Sequence, residues 1–405
     1  MTQKVAIIIE RLDTTLGGAE RSVSELADAL GAVGCETHIL AAKGQPKSAN
    51  VHILCGDVIG KRTDLPVFAE ALKKHINENS YDIIHSILPF DFADIYQPRG
   101  GTYAEAIKRN AASYGNKCIE AWKRATGCLN FRRNTLLKAE RNLCKMKDGP
   151  AIIAISNYVA EQFKRHYGAE DSRITVIPNG VDTKALADAN GEQTRKQILT
   201  QLNIGGNTKP VLFLFAANNF RLKGLAYLLK AFSEISNFRN GPCASLRVKS
   251  QISKAAYLII VGSDNAAPYR RLAVNLNIAD KVLFLGSVGD MGNLLAAADV
   301  AVLPTFYDPS SRFILEALAL GKPVITTRFN GASEQFTDNR HGKVIDSPDN
   351  IAELALALAH FTDSGNIQKA SQAILQDNIR QRVSISRVAG QLKEFYDGLM
   401  KRRRR

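Results

Sequence analysis

Asp308 and Glu316 are two carboxylates separated by seven residues in the stretch DVAVLPTFYDPSSRFILEALALGKPVITTRFNGASE, which runs from Asp299 to Glu334. Between them stand Ser310, Ser311 and Arg312. Carboxylates accept hydrogen bonds from sugar and ribose hydroxyls, whereas the free N–H groups at the start of a helix hold a phosphate. The two together suit a nucleotide sugar. A second group of charges lies upstream, where Arg221 and Lys223 sit in Asn218-Asn-Phe-Arg-Leu-Lys-Gly224 ahead of an apolar helix. Two cations at a helix N-terminus make a cradle for a diphosphate, although an isolated Arg-x-Lys is more often a solvated surface pair.

These groups require a particular scaffold. Val300 to Leu303 is a short apolar, β-branched run of the kind that forms a buried parallel strand, and Pro304 closes it. A loop leads to Ser310 or Ser311, either of which is placed to cap a helix with Ile314, Leu315, Leu318 and Ala319 inward. Gly321 and Pro323 end that helix, and Val324 to Thr327 is a second buried strand. Strand, loop, helix, strand is one unit of a parallel α/β sheet, and such sheets bind ligands beyond the carboxyl ends of their strands. That is where Asp308 and Ser310 to Arg312 fall.

The block resembles the Glu, seven residues, Glu signature of retaining glycosyltransferase family 4, down to the trailing Leu-Glu-Ala and Gly-Lys-Pro-Val; Asp308 departs from it by one methylene. The resemblance implies that Glu316 binds the donor ribose and that Asp308 lies beside the transferred sugar. It implies that Arg221 and Lys223 face the leaving diphosphate with the amides of Ser310, Ser311 and Arg312, although Asn218 occupies the usual Arg place. Gly17-Gly18-Ala-Glu20 is similar to the family's first loop, which faces the donor phosphate and acceptor. Ala-Ile-Ser-Asn-Tyr-Val-Ala at 154–160, paired with Ile-Pro-Asn-Gly-Val-Asp at 177–182, resembles the end of its N-terminal domain. The implied fold is α/β, two Rossmann-like domains facing across a cleft in the GT-B arrangement. Residues 1–183 would be the acceptor domain and 207–382 the nucleotide-sugar domain, with a helix at 383–405 packing back on the first. The implied activity is metal-independent hexosyl transfer from a nucleotide sugar, UDP-glucose being the candidate donor, to a glycan or lipid-linked acceptor. No further cofactor is expected.

The residues accord with this. No Asp-x-Asp pair is present to hold a donor's metal ion, and no G-x-G-x-x-G fingerprint favours a nicotinamide enzyme. Strands read at Val5–Ile9, Thr37–Ala41, Val51–Leu54, Tyr81–Ser86, Ala151–Ile155 and Ile174–Ile177 alternate with helical stretches, and the alternation restarts at Val211 after a linker at Gly205-Gly206-Asn207. The polar segment 237–254 reads as a surface excursion. His85, at the end of the Tyr81 strand, is a candidate acceptor contact, with a backbone-satisfied histidine the equal alternative. Asp94, in an Asp-Ile-Tyr element similar to lipopolysaccharide-core glucosyltransferases, and Arg99, beside Gly100 and Gly101, are further acceptor candidates. Two other readings stay open: an epimerase or phosphorylase of similar fold, and a basic adaptor without catalysis.

Composition sets the surroundings. No early apolar segment with a cleavage site is present, and no run approaches the roughly 18 residues of a spanning helix, so the expectation is a cytoplasmic protein. The formal net charge of +14 is concentrated: residues 105–147 carry eleven basic side chains against three acidic ones, and Lys401 to Arg405 are all basic. Two local patches point to an anionic membrane rather than to nucleic acid. Ile119, Trp122, Ala125 and Leu129 recur at helical spacing near Lys117, Lys123, Arg124, Arg132 and Arg133, which suggests peripheral attachment at the inner face of the cell membrane.

Overall fold

The computed structural model describes residues 2–12, 18–46, 48–56, 63–205, 209–236 and 256–403. Gly17, linker residues 206 and 207, the segment 237–254 and the last two arginines lie outside the described residues. The chain divides into two compact units. One comprises Met1–Lys108, Ala121–Asp182 and Ser384–Arg405; the other comprises Arg109–Glu120 and Thr183–Val383.

The first unit is a parallel sheet of β1 (Gln3–Leu12), β2 (Cys35–Gly44), β3 (Val51–Ile53), β4 (Ile83–Ser86), β5 (Ile95–Tyr96), β6 (Ala151–Ala154) and β7 (Ile174–Val176), in the order β3-β2-β1-β4-β5-β6-β7. Alternate residues of a strand face opposite sides, and β1 shows the result. Val5, Ile7 and Ile9 join a core under the helices Gly18–Ala32 and Ile385–Arg403, while Ala6 and Ile8 face Phe68 and Leu72 of the helix Leu65–Glu78. Covering both faces is why the run is apolar throughout rather than alternating. The helix Ile385–Arg403 belongs to this unit, where it buries Val388, Ala389, Leu392 and Tyr396. In the Asp94-Ile-Tyr96 element Ile95 and Tyr96 form β5, paired with β4 on one side and β6 on the other.

The second unit holds β8 (Val211–Ala216), β9 (Ala256–Val261), β10 (Val282–Gly286), β11 (Val300–Leu303), β12 (Val324–Thr327) and β13 (Gly342–Ile345), parallel and in the order β10-β9-β8-β11-β12-β13. The order reverses between β8 and β11. The loops leaving these two strands therefore diverge and open a crevice at their carboxyl ends, the usual binding place in such sheets. Those loops carry Arg221 and Lys223 on one side and Asp308 to Ser311 on the other. The helix Leu225–Ser236 buries Leu225, Leu228, Leu229 and Phe232, and the helix Arg312–Ala319 is buried along nearly all its length, which fixes both loops at their far ends. Residues 109–120, inside the expected first domain by sequence, cluster with this second unit.

Candidate active site

The two switch-point loops are tied to each other by backbone. Phe306 N–H donates to Leu222 O at 2.9 Å, and Gly224 sits so close to the loop after β11 that a Cβ would lie 2.0 Å from Pro304 O. Its φ of +78° independently requires glycine. The crossing places Lys223 against the second loop: its Nζ donates to Asp308 Oδ2 at 2.7 Å and to Tyr307 O at 2.9 Å. Both side chains keep an opening to solvent, at 19% and 15% exposure, so the pair is reachable by a ligand. Asp308 Oδ1 also accepts from Ser310 N–H at 3.2 Å.

Ser311 is the residue before the helix Arg312–Ala319, but its hydroxyl does not cap that helix. The loop before the helix is held by Asn330, a fully buried side chain from the loop after β12. Asn330 Oδ1 accepts from Ser311 N–H and Ala332 N–H, each at 3.1 Å, and its Nδ2 donates to Thr326 Oγ1 at 2.9 Å. Asp308 and Asn330 also pair through their backbones. One buried amide thus holds the loop that presents Asp308, Ser310 and Ser311. Sequence reasoning missed it, because Asn-Gly after a strand signals a turn but not which N–H groups the side chain will meet. Glu316 lies one turn into the helix, bonded to Arg312 at 3.0 Å, with both side chains about one tenth exposed.

Lys223, Asp308, Ser310 and Ser311 are therefore brought together, with Arg312 and Glu316 on the helix that follows. The guanidinium of Arg221 is held by the segment 109–120. Asn218, in the usual Arg place, is exposed and accepts from Ser263 Oγ at 3.2 Å.

The first unit treats its candidates differently. Gly17 lies outside the described residues, and Gly18 opens the helix Gly18–Ala32. His85 is fully buried, its Nδ1 2.6 Å from Tyr396 Oη. Burial, with the Arg99 charge nearby, pushes its pKa down to about 3, so the ring is neutral and serves the packing of the last helix. Asp94 accepts from Ile84 N–H at 2.7 Å and pairs with Arg403, so its carboxylate fastens the edge of β4 and the C-terminal helix. Arg99 donates to Asn179 Oδ1 at 2.8 Å. Of the charges near the apolar stripe, Arg132 is paired with Glu10 and donates to Thr63 O, and Arg133 donates to Gly127 O. Ile119, Trp122 and Phe131 are exposed, Phe131 to 84%. Among the described residues no helix is long and apolar enough to cross a membrane.

Comparison with known proteins bears on the family and the fold. The family model for Glycosyltransferase Family 4 matches residues 16–185, and that for Glycosyl transferases group 1 matches residues 200–382. The lipopolysaccharide glucosyltransferase WaaG of Escherichia coli (strain K12) is 22% identical over 335 residues, covering 82% of this chain and 82% of its own. The crystal structure of WaaG superposes with a TM-score of 0.66 at 20% identity, covering 95% of this chain and 94% of that one. Sucrose-phosphate synthase from Thermosynechococcus elongatus gives a TM-score of 0.73 at 20% identity, covering 98% and 99%. Anabaena HepE, solved in complex with UDP-glucose, gives 0.68 at 16%, covering 98% and 99%. Two family models that share nearly the whole chain between them, and structural neighbours along its full length, make it a glycosyltransferase of the family 4 type built on the GT-B fold.

Proposed function

We propose that this glycosyltransferase retains anomeric configuration and moves a hexosyl group from a nucleotide sugar, UDP-glucose the leading candidate, to a glycan or lipid-linked acceptor in lipopolysaccharide or other cell-surface glycan synthesis. The observation that carries the reading is the partly open Lys223–Asp308 pair at the carboxyl end of β11, beside the N–H group of Ser310. Cleaving a sugar–diphosphate bond builds negative charge on the leaving phosphate, and fixed donors placed there stabilise it strongly. In this reading Lys223, Arg221 and the amides of Ser310 and Arg312 take the diphosphate, Ser311 N–H being already given to Asn330 Oδ1, and Glu316 takes the ribose. A diphosphate competing for Lys223 loosens its pair with Asp308, which then accepts from a sugar hydroxyl. The C1–O bond to phosphate breaks, the acceptor oxygen bonds to C1 on the same face, and the acceptor proton passes to the departing phosphate oxygen. Charge stabilisation by side chains and amides makes the reaction independent of a divalent ion.

UDP-glucose is favoured because HepE was solved with it, and a lipopolysaccharide acceptor because WaaG is a lipopolysaccharide glucosyltransferase. Thermal-shift screening of nucleotide sugars, followed by NMR of the product formed with excess EDTA present, tests the reading. Stabilisation by one nucleotide sugar and an α product from an α donor support it; an inverted product, or activity that requires added Mg²⁺ or Mn²⁺, contradicts it.

Peripheral attachment to an anionic membrane belongs to the same proposal. Trp122 and Phe131 stand exposed, at 59% and 84%, and the helix Phe131–Lys145 also exposes the cations Lys138, Arg141 and Lys145. Each cation near an anionic surface contributes about 1 kcal/mol, and exposed aromatic rings settle in the headgroup region. Changing Trp122 and Phe131 to Ser, with Lys138 and Lys145 to Gln, should abolish co-sedimentation with anionic vesicles. Equal sedimentation of the variant, or of the wild type with neutral vesicles, would overturn the attachment.

A further inference from the structure

Residues Arg109–Glu120 cluster with the second unit, and their contacts gather at the carboxyl ends of its strands. Arg221, in the loop after β8, donates from Nη1 to Asn110 O at 3.0 Å and to Ser113 Oγ, and from Nη2 to Asn110 Oδ1 at 3.4 Å. The centre of its guanidinium lies 3.8 Å from the ring centroid of Tyr114. The Arg109 guanidinium lies 3.7 Å from the ring of Phe329, whose carbonyl accepts from Asp308 N–H at 2.9 Å. Gly115, at φ +69°, packs so closely that a Cβ would lie 2.3 Å from Tyr227 Oη. The segment is thus fitted to the same loops that present Lys223 and Asp308.

The loop holding Arg221 does not need this segment for its own shape. Asn219 Oδ1 accepts from Leu222 N–H at 3.0 Å, Asp264 accepts from Phe220 N–H at 2.8 Å, and Lys223 N–H donates to Asn219 O at 3.0 Å. What the segment fixes in that loop is the guanidinium. A guanidinium carries five N–H groups in one plane, and a phosphate is gripped in two-pronged fashion by Nε with the adjacent Nη, or by the two Nη atoms. Here Asn110 and Ser113 take the Nη1/Nη2 end and Tyr114 covers one face, while among the described residues no acceptor meets Nε. An unrestrained arginine must give up its rotamer freedom when it binds phosphate; one already stacked and tethered has little left to lose.

We infer that Asn110, Ser113 and Tyr114 are positioning residues for Arg221, holding it so that its Nε/Nη2 edge is presented to the donor's diphosphate. None of the three is required to touch the donor. The bland alternative, a surface arginine resting on a neighbouring segment, predicts no effect on ligand binding. The inference rests on the reading above that Arg221 serves the diphosphate, and the test separates the two.

Calorimetric titration of the full chain with UDP, GDP and ADP identifies the nucleotide that binds; that nucleotide and its nucleoside are then titrated against Arg221→Gln, Tyr114→Ala, Tyr114→Phe, Ser113→Ala and the double variant of Arg221→Gln with Tyr114→Ala. Tyr114→Ala and Ser113→Ala should each weaken the nucleoside diphosphate about 3- to 10-fold and leave the nucleoside unchanged. Tyr114→Phe, which keeps the stacked ring, should bind as the wild type does. The double variant should bind no more weakly than Arg221→Gln, because the two residues act as one. If Tyr114→Ala does not fold, Ser113→Ala decides. Weak binding by Arg221→Gln with wild-type binding by the Ser113 and Tyr114 variants overturns the inference and leaves the diphosphate reading standing, as do additive losses in the double variant. Wild-type binding by Arg221→Gln, or no binding of any of the three nucleotides to the wild type, overturns that reading and the inference with it.

Discussion

The two units are built on similar parallel sheets, yet they treat polar groups at their strand ends in opposite ways. In the second unit Lys223 and Asp308 pair with each other across two loops and remain partly open, while the fully buried Asn330 carries the structural load beneath them. In the first unit His85 is sealed against Tyr396, and Asp94 is spent on the backbone of β4 and on Arg403. The difference teaches where to look for chemistry. A charge paired with a neighbouring charge at the mouth of a switch point can exchange that partner for a ligand, whereas one bonded to backbone inside a sheet cannot leave without opening the sheet.

The largest effect that would break this contrast is expected at Lys223. Lys223→Ala removes the cation next to the leaving phosphate and should lower the transfer rate by roughly 10²- to 10³-fold, with the melting temperature little changed. A variant that unfolds, or one that turns over normally, would move Lys223 into the class of His85.

A smaller effect sharpens the other side. Glu140 is fully buried in the first unit and accepts from Tyr96 Oη at 2.7 Å, from Tyr103 N–H at 2.8 Å and from Tyr167 Oη. Burial outweighs these three donors and raises its pKa from the ordinary 4.5 to about 7. The folded protein then holds a proton that the unfolded chain has released, so Glu140 stabilises the fold fully below pH 4.5 and loses that contribution as pH rises through about 7. The span corresponds to roughly 3 kcal/mol. His85 acts in the reverse sense: its depressed pKa means that stability is lost as pH falls below 6.5 towards 3. The two slopes overlap, and subtraction separates them. Urea unfolding of the wild type minus that of Glu140→Gln, measured from pH 4 to 8, should fall with rising pH; a flat difference would show that Glu140 ionises normally.

Asp94 gives the smallest effect. Asp94→Ala removes the acceptor for Ile84 N–H and should cost about 1 kcal/mol of stability, with no change in KM for the acceptor. A raised acceptor KM at unchanged stability would restore Asp94 to the site.

Much of the second unit was legible in the sequence because its signals are local. Pro304 marks the end of β11, the apolar spacing of Ile314, Leu315 and Leu318 marks the helix, and Asp308 to Glu316 fall between them within a single strand, loop and helix. The Lys223–Asp308 pair follows only from the crossing of two loops 85 residues apart, and the Asn330 bonds from a third. Neither leaves a trace in spacing. β13 went unread because Gly342-Lys343-Val344-Ile345 is half polar, and β5 because two residues in the middle of a sheet make no periodicity. In the first unit a histidine and an aspartate near strand ends looked functional by type. Burial and bonding place them in the fold, and both are bonded to the helix Ile385–Arg403, which lies about 300 residues away in sequence.

The central claim is that the donor is held by the second unit's switch-point loops. Hydrogen–deuterium exchange of the full chain, with and without the nucleotide sugar that gives the largest thermal shift, tests it most directly. The account predicts that protection on binding is greatest in peptides covering 218–224 and 305–316 and is reduced there in Lys223→Ala. Protection confined to peptides of the first unit around His85, Asp94 and Arg99, with 218–224 and 305–316 unchanged, would contradict it.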